Sequence, residues 1–240
     1  MLEIRCLKGV RKTKVRGVRE NMFEKKYEAV IFDLDGTLLN TLEDLQDSVN
    51  HALKRYDMPQ RSLEEIRHFV GNGVEKLVER AVPGGTEISV REKVFAAFKE
   101  HYALHCNDKT GLYPGISRML ADLKEQGFRM AIVSNKLQEG VDALHEQYFK
   151  EYLNVAIGAK EGIRKKPAPD TALEALRLLE TPKEKAIYVG DSEVDIATAT
   201  NSGMDCITVA WGFRTRQEQE DAGARIFVEK PEEIIPLLYN

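Results

Sequence analysis

The stretch Ala29-Val30-Ile31-Phe32-Asp33-Leu34-Asp35-Gly36-Thr37 decides the fold of this chain. Its apolar run predicts a buried strand, and Asp33 and Asp35 follow that strand directly into a glycine turn. Side chains two residues apart on an extended chain point the same way, so the two carboxylates leave one face together. A bound cation, or protonation of one carboxylate, would relieve their repulsion and make the pair a site. The alternative for this stretch alone is a strand end followed by a solvated turn.

Length and composition indicate an ordinary globular protein. The chain has 240 residues, of which 42% are hydrophobic and 31% charged, enough to bury a core as one large domain or two unequal ones. The net charge of −4 gives no overall attraction for nucleic acid. No apolar run approaches the roughly 20 residues that a membrane-spanning helix needs. We therefore expect neither a nucleic-acid partner nor a membrane partner.

Cysteine usage favours a reducing compartment. Cys6, Cys106 and Cys206 are odd in number, widely spaced and free of any Cys-x-x-Cys pair. This pattern supports neither a disulfide framework nor a structural zinc site. We expect reduced thiols in a cytoplasmic protein.

Residues 1–21 differ in composition from the rest of the chain. They contain seven basic and two acidic residues, which gives a charge of +5 and leaves −9 for the remainder. They lack the apolar core of about 7–15 residues that a secretory signal requires. Met22 stands just before the folded pattern begins. We interpret residues 1–21 as a dispensable extension or an over-long start assignment; a basic arm for nucleic acid or anionic lipid is the alternative.

Apolar runs alternate with amphipathic segments from Tyr27 onward, which is typical of a parallel sheet covered by helices. We predict a doubly wound α/β domain, where ligands bind beyond the carboxyl ends of the strands. Asp33, Ser134 and Asp191 fall at that end. The predicted strands are Ala29–Asp33, Arg129–Ser134, Val155–Gly158, Ala186–Asp191, Cys206–Ala210 and Arg225–Val228. The predicted helices between them include Ile116–Gln126, Leu137–Tyr148, Thr171–Glu180 and Ser192–Asn201.

One interval contains only helical patterns. The sequence Ser62-Leu63-Glu64-Glu65 is a capping box that opens a helix, and Gly71-Asn72-Gly73 interrupts the pattern before it resumes. We therefore predict an all-α subdomain, the cap, at residues 42–110. It is inserted into an α/β core formed by residues 22–41 and 111–240.

Three further segments carry polar groups suited to chemistry. Met130–Lys136 ends a strand with a hydroxyl and an amide, which suit an oxyanion. Arg164–Asp170 places basic residues ahead of two prolines, which stiffen the loop. Ala186–Asp195 ends a strand in Gly-Asp, with a second carboxylate four residues later on the same face of a turn. Each signal is weak alone, and the set of four is specific.

These four segments, in this order and with a helical insertion after the first, resemble the haloacid dehalogenase superfamily of phosphohydrolases. The resemblance extends from Tyr27 to the C-terminus. Residues Phe69–Ala81 are similar to phosphoglycolate phosphatases and their relatives. The resemblance implies a Mg²⁺-dependent phosphatase that hydrolyses a small phosphate monoester through an aspartyl-phosphate. The best single candidate for the substrate is 2-phosphoglycolate.

The resemblance also assigns the catalytic and metal-binding roles. Asp33 would be the nucleophile, and Asp35 the general acid and then the general base. Mg²⁺ would be held by the Asp33 carboxylate, the backbone carbonyl of Asp35 and Asp191. Asp195 would orient the functional lysine or the metal's water ligands.

The phosphoryl group has its own expected partners. Ser134, the backbone amide of Asn135 and Lys166 would bind the phosphoryl oxygens, and Thr37 would fix the first loop beside them. Lys166 is preferred over Lys165 because in this superfamily the functional lysine directly precedes the Pro-x-Pro.

The cap is expected to close over the site and read the leaving group. Gly71, Asn72 and Gly73 could present backbone N–H groups to a small anion such as the glycolate carboxylate. A plain interhelical turn is the alternative, because Asn-Gly favours turns on its own. Lys76 and Arg80 would either assist or be solvated.

Several alternatives to phosphoglycolate hydrolysis stay open. The substrate could be pyrophosphate, a nucleotide or a sugar phosphate. The chain could instead be a phosphomutase related to β-phosphoglucomutase, or a non-catalytic phosphate-sensing protein. The complete set of acidic and basic residues argues against the last. We expect a monomer in preference to a homodimer.

Overall fold

The computed structural model describes residues 24–240, and the predicted basic extension therefore lies outside the described residues, as does Cys6. The chain forms a six-stranded parallel sheet and a separate two-stranded antiparallel pair. The strands are β1 (Ala29–Phe32), β2 (Leu39–Asn40), β3 (Gly111–Leu112), β4 (Arg129–Leu137), β5 (Val155–Ala159), β6 (Ala186–Gly190), β7 (Asp205–Val209) and β8 (Ile226–Val228). The helices are α1 (Leu42–Arg55), α2 (Leu63–Phe69), α3 (Val74–Ala81), α4 (Ile88–His105), α5 (Ile116–Glu125), α6 (Gln138–Leu144), α7 (Asp170–Leu178), α8 (Glu193–Ser202) and α9 (Arg216–Asp221).

The main sheet has the strand order β5-β4-β1-β6-β7-β8, with every neighbouring pair parallel. The chain runs outward from β1 through β4 to β5, then crosses back to β6 on the other side of β1. The strand order therefore reverses beside β1, which is where ligands bind in sheets of this kind. This arrangement confirms the predicted doubly wound α/β fold.

Strand β1 is central and fully buried because helices cover both faces of the sheet. Val30 and Phe32 pack against α5 and α6, whereas Ala29 and Ile31 pack against α7 and α8. Alternate residues of a strand point to opposite faces, so a parallel strand buried on both sides must be apolar throughout. The sequence of β1 meets that requirement.

Helices α1–α4, here called the cap helices, lie between β2 and β3, as the helical pattern predicts. The capping box at Ser62 is formed: Glu65 accepts hydrogen bonds from the backbone N–H and the hydroxyl of Ser62. The cap helices have a hydrophobic cluster of their own. Among the described residues, Phe213 is the one core residue that belongs to this cluster. The boundaries 42–110 for the cap stay a prediction.

The structure adds elements that the sequence patterns do not predict. The pair β2–β3 has only two residues in each strand, too short for a recognisable pattern, and it joins the two ends of the helical insertion. The predicted helix at Leu137–Tyr148 is shorter: α6 ends at Leu144 and a π-turn follows over His145–Phe149. No helix among residues 24–240 is long and apolar enough to cross a membrane.

Candidate active site

Three neighbouring strands bring the candidate residues to one edge of the sheet. Asp33 follows β1 directly, Ser134 lies near the end of β4, and Asp191 follows β6. All three side chains are buried. Because parallel strands end at the same edge, residues that are far apart in the sequence meet beside the reversal in strand order.

A buried acidic cluster lies at this edge. Oxygen atoms of the Asp33, Asp191 and Asp195 carboxylates all lie within 4.8 Å of one another. Burial, and then the charge of Asp195, raises the pKa of Asp33 well above its usual range. The same two causes raise the pKa of Asp191 to about 7. A cation among these groups would favour their ionised forms, so the donor set fits a hard divalent ion.

Lys166 counters part of this negative charge. Its Nζ lies 2.8 Å from Asp33 Oδ1 and donates a 2.7 Å hydrogen bond to Asp195 Oδ1. Burial by itself would lower the pKa of Lys166, but the carboxylates of Asp195 and Asp33 outweigh it and raise that pKa. The neighbouring Lys165 is exposed. The structure thus brings Lys166, the lysine preferred from the sequence, onto the candidate nucleophile.

Asp195 is held by the start of helix α8. Its Oδ2 accepts a 3.1 Å hydrogen bond from the Ser192 N–H and a 2.7 Å bond from the Ser192 hydroxyl. Gly190 leaves room for it: a Cβ at position 190 would lie 2.3 Å from Asp195 Cβ. Because both oxygens are engaged within the protein, this geometry suits Asp195 to positioning Lys166.

Asp191 is fixed by two other loops. Its Oδ1 accepts a hydrogen bond from the Thr37 hydroxyl at 3.2 Å, and its Oδ2 accepts one from the Phe213 N–H at 2.7 Å. A Cβ at Gly36 or at Gly212 would lie 2.7 Å or 2.2 Å from atoms of Asp191. Gly36 also has a positive φ of 88°, which favours glycine. Thr37, grouped from the sequence with the phosphate-binding residues, therefore contacts the Asp191 carboxylate and is not among the residues that line the cavity.

Ser134 and Asn135 serve different parts of the site. Ser134 Oγ lies 3.5 Å from Asp35 Oδ2. The Asn135 side chain exchanges hydrogen bonds with the backbone of Lys166, at 2.9 and 3.0 Å, and donates to the Gly71 carbonyl at 3.2 Å. The Asn135 amide group therefore joins the lysine loop to the cap, while its backbone N–H is the group predicted to bind phosphate.

Sequence reasoning assigns no role to Lys136, although the structure buries it in the site. Its Nζ lies 3.1 Å from Asp35 Oδ1 and also contacts the hydroxyl of Tyr102, on cap helix α4. Strand β4 runs to Leu137, three residues beyond the predicted end, and its register against β5 shifts after Val133. Side chains two residues apart on an extended strand point to the same side, so Lys136 could have been placed beside Ser134. This was the signal in the sequence for including Lys136 in the site.

The segment Trp211–Arg214, left out of the predicted site, connects the core to the cap. The Trp211 indole N–H donates to the Thr37 carbonyl at 3.0 Å. Arg214 donates to the carbonyls of Arg67 and Val70 at 2.9 and 2.6 Å, and pairs with Glu193 at 2.8 Å. The only signal in the sequence was the position of this segment after a strand, at the functional edge of the sheet.

The cap loop, residues 71–73, contributes its backbone to the cavity more than its side chains. Of the three cap-loop residues predicted to bind an anion, Gly71 and Gly73 line the cavity. Asn72 is not among the lining residues, and its side-chain oxygen accepts a 2.7 Å hydrogen bond from Arg80. Lys76 pairs with Glu79 on the exposed side of α3. Arg80 and Lys76 are therefore both engaged within the cap helices.

A cavity of about 50 Å³ lies between the sheet edge and the cap helices. Its floor is polar and its roof is apolar. The floor residues are Asp33, Asp35, Ser134, Asn135, Lys136, Lys166, Asp191, Ser192 and Arg214, and the roof residues are Leu45, Val70, Gly71, Gly73, Val74, Leu77 and Phe213. A cavity of this size holds a group of a few heavy atoms.

Comparison with known proteins agrees with this geometry. A family model described as haloacid dehalogenase-like hydrolase matches residues 30–209. A phosphoglycolate phosphatase of Pseudomonas putida is 33% identical over 190 residues, which cover 77% of this chain and 70% of that protein. A phosphoglycolate phosphatase of Nitrosococcus oceani is 31% identical and covers 89% of this chain and 97% of its own length.

A solved structure is also similar over nearly the whole chain. A protein of Lactobacillus delbrueckii subsp. bulgaricus, described as an unproven phosphoglycolate phosphatase, superposes with a TM-score of 0.85 and 36% identity. The match covers 90% of this chain and 99% of that one.

Proposed function

The chain belongs to the haloacid dehalogenase-like hydrolase family and is a phosphatase, and we propose that it hydrolyses 2-phosphoglycolate with the help of Mg²⁺. One observation carries this proposal: a buried lysine, Lys166, bridges the candidate nucleophile Asp33 and Asp195 on the floor of a small cavity. This arrangement supports the proposal because it puts the candidate nucleophile beside a cation that suits phosphate.

Asp33 is the proposed nucleophile. One of its oxygens attacks phosphorus while the bond from phosphorus to the ester oxygen breaks, which leaves an aspartyl-phosphate. Asp35 gives its proton to the departing oxygen and then takes a proton from the water that attacks the same phosphorus. That second step releases inorganic phosphate and restores Asp33.

Lys166, Ser134 and the backbone N–H of Asn135 are proposed to bind the phosphoryl oxygens. Donors fixed before the reaction stabilise charge that develops in the transition state without having to reorganise. Asp195 supports this function because its 2.7 Å hydrogen bond keeps the Lys166 ammonium in place. Asn135 supports it through the backbone of Lys166.

Asp33, Asp191 and the backbone carbonyl of Asp35 are proposed to hold Mg²⁺, whose charge offsets the repulsion between carboxylates and a phosphate dianion. The raised pKa values of Asp33 and Asp191 support a cation site, because they report carboxylates that lack sufficient positive charge nearby. Thr37 and Phe213 hold Asp191 at 3.2 and 2.7 Å, so this ligand is fixed by the protein.

The small cavity favours a short leaving group. A volume of about 50 Å³ suits 2-phosphoglycolate or pyrophosphate better than a nucleotide or a hexose phosphate. The relatives described as phosphoglycolate phosphatases give the same preference. We propose that residues 42–110 act as a cap that closes on the substrate and opens to release glycolate.

The setting of the enzyme is also proposed. Cys106 and Cys206 are free cysteines, which supports a reducing, cytoplasmic location. We propose a monomer, with a small-molecule phosphate ester as its partner and no nucleic-acid or membrane partner. Sedimentation analysis of the purified chain tests the monomer.

A substrate panel tests the function. Phosphate release should be fastest with 2-phosphoglycolate, require Mg²⁺, and be slower with pyrophosphate, nucleoside monophosphates and hexose phosphates. Formation of glucose 6-phosphate from β-glucose 1-phosphate would instead indicate a mutase. Absence of phosphate release from every compound would overturn the proposal in favour of a phosphate-sensing protein.

A further inference from the structure

Lys136 is a buried cation that the proposed mechanism leaves without a role. Its side chain is 3% exposed, and its ammonium pairs with Asp35 at 3.1 Å. Burying an ammonium is energetically unfavourable unless it is paired, so its position needs a reason. Gly140 packs along its aliphatic stem, where a Cβ would lie 3.4 Å from Lys136 Cε. The protein therefore fixes this charge beside Asp35.

The ammonium group of Lys136 has donor capacity left over. It carries three N–H donors. Within residues 24–240, one donor reaches Asp35 and another reaches the Tyr102 hydroxyl, and no third partner is present. Burial raises the pKa of Tyr102 to about 12, so its hydroxyl stays neutral and adds no charge. The third donor is available to a group in the cavity, which Lys136 lines.

Each of the other cations on the cavity floor is paired with acidic residues other than Asp35. Lys166 is held by Asp33 and Asp195. Arg214 is held by Glu193 and by two carbonyls of the cap. Among the lining residues that the structure describes, Lys136 is thus the cation adjacent to Asp35, the residue proposed to protonate the leaving oxygen.

The roof of the cavity offers no charge to a leaving group. Its side chains are apolar. A carboxylate facing this surface would meet only the backbone N–H groups of Gly71 and Gly73, which carry no full positive charge. It would be paired if it turned toward Lys136. A carboxylate one carbon away from the ester oxygen would come close to Lys136, because that oxygen contacts Asp35 in the proposed mechanism and Lys136 pairs with Asp35 at 3.1 Å.

We propose that Lys136 determines substrate specificity by binding a carboxylate on the leaving group, so that the site selects phosphate esters of short 2-hydroxy acids. Tyr102 holds the ammonium from the cap side. This inference rests on the proposed function, since it assumes that Asp35 faces the leaving oxygen. It extends that function from one compound to a class defined by a carboxylate next to the ester carbon.

Two substrates of matched shape test the inference. The first is 2-phosphoglycolate, and the second is 2-hydroxyethyl phosphate, in which a neutral CH₂OH replaces the carboxylate. Both are assayed with Mg²⁺ in the wild-type enzyme and in the Lys136→Met, Lys136→Arg and Lys165→Met variants. We expect Lys136→Met to reduce the wild-type preference for 2-phosphoglycolate, as a ratio of kcat/KM values, by about 100-fold.

The other variants separate specificity from structure. Lys136→Arg keeps the charge and should retain most of the preference. Lys165→Met removes the exposed lysine next to the phosphate-binding loop and should leave the preference unchanged. Equal losses of kcat/KM on both substrates in Lys136→Met would indicate that Lys136 is only a structural partner of Asp35. A change of preference in Lys165→Met would indicate that Lys165, and not Lys136, binds the carboxylate. Either result overturns the inference.

A measurement on the wild-type enzyme keeps the inference testable even if Lys136→Met does not fold. Glycolate should inhibit at least about tenfold more strongly than glycolamide, which has the same shape without the charge. Equal inhibition would overturn the inference. If the wild-type enzyme hydrolyses both esters equally well, only the inference fails. If it hydrolyses no phosphate ester at all, the proposed function fails as well.

Discussion

Two charged residues of the site are held in place by very close packing against glycines. Asp191 and Asp195 each lie against a glycine, at positions 212 and 190, where even a methyl group has no room. Dense interiors transmit such a clash to the neighbouring side chain. The exact position of Asp191 therefore depends on a residue that carries no functional group.

Substitution of Gly212 tests this dependence. In Gly212→Ala the new Cβ would lie 2.2 Å from Asp191 Cβ, so Asp191 must move and Mg²⁺ affinity should fall at least about tenfold. We expect overpacking to lower the free energy of unfolding by about 1–3 kcal/mol. Calorimetric titration with Mg²⁺ measures the affinity. Gly84→Ala is the matched control, because no atom lies within 4 Å of its added Cβ, and unchanged affinity in Gly212→Ala would contradict the account.

The titration of Asp191 should make the effect of the proposed Mg²⁺ depend on pH. Its pKa of about 7 in the metal-free fold is above its value of about 4 in an unfolded chain. The stability that this group contributes is therefore full below about pH 4 and is lost as the pH rises to about 7. Mg²⁺ needs the ionised carboxylate and must displace a proton below that pH.

The increase in Tm caused by Mg²⁺ should consequently be larger at about pH 8 than at about pH 5.5. Differential scanning calorimetry with and without Mg²⁺ measures it. Asp191→Asn is the control and should lose most of the increase at both pH values. An increase that is the same at both pH values in the wild-type protein would contradict the assigned ligand.

At the scale of elements, the strand ends could be predicted from the sequence and the contacts across loops could not. Strands β1, β4 and β6 each combine an apolar run with a polar residue at the end, which is a local pattern. The extension of β4 to Leu137 depends on its register with β5, which is a tertiary property. For that reason Ser134 was predicted in the site while Lys136, two residues later, was not.

The loop after β7 also acts as a connecting element. Arg214 joins this loop to the C-terminal end of α2 through the carbonyls of Arg67 and Val70, and its side chain is only 7% exposed. Hydrogen bonds from a charged donor contribute about 1.5–3 kcal/mol each when their loss leaves buried groups unpaired. Arg214 should therefore hold the cap loop over the cavity.

Substitution of Arg214 is expected to loosen this connection. In Arg214→Ala, residues 67–73 should exchange backbone hydrogens faster, and the stability should fall by about 2–3 kcal/mol. Hydrogen exchange followed by mass spectrometry measures the first effect, and urea unfolding the second. Arg177→Ala removes an exposed ion pair with Glu174 and should change neither. Unchanged exchange at residues 67–73 in Arg214→Ala would show that the cap loop does not depend on this contact.

At the scale of the whole molecule, the site exists because two hydrophobic clusters meet across it. The core cluster around β1 positions the carboxylates, and the cluster of the cap helices supplies an apolar roof. Composition and periodicity predicted both parts, since each has a regular local pattern. The contacts between the parts involve Tyr102 of the cap helices and Phe213 and Arg214 of the core, and the first of these is far from the other two in the sequence. The size of the cavity therefore could not be predicted.

The most direct test of the central claim is chemical trapping of the phosphorylated enzyme. Acid quenching during turnover of 2-phosphoglycolate, followed by borohydride reduction, converts an aspartyl-phosphate to homoserine, which peptide mass spectrometry locates. We predict modification of Asp33, dependent on Mg²⁺ and lost in Asp33→Asn together with turnover, while Asp142→Asn, at an exposed position of α6, behaves like the wild-type protein. Modification of a different residue, or full turnover by Asp33→Asn, would contradict the account.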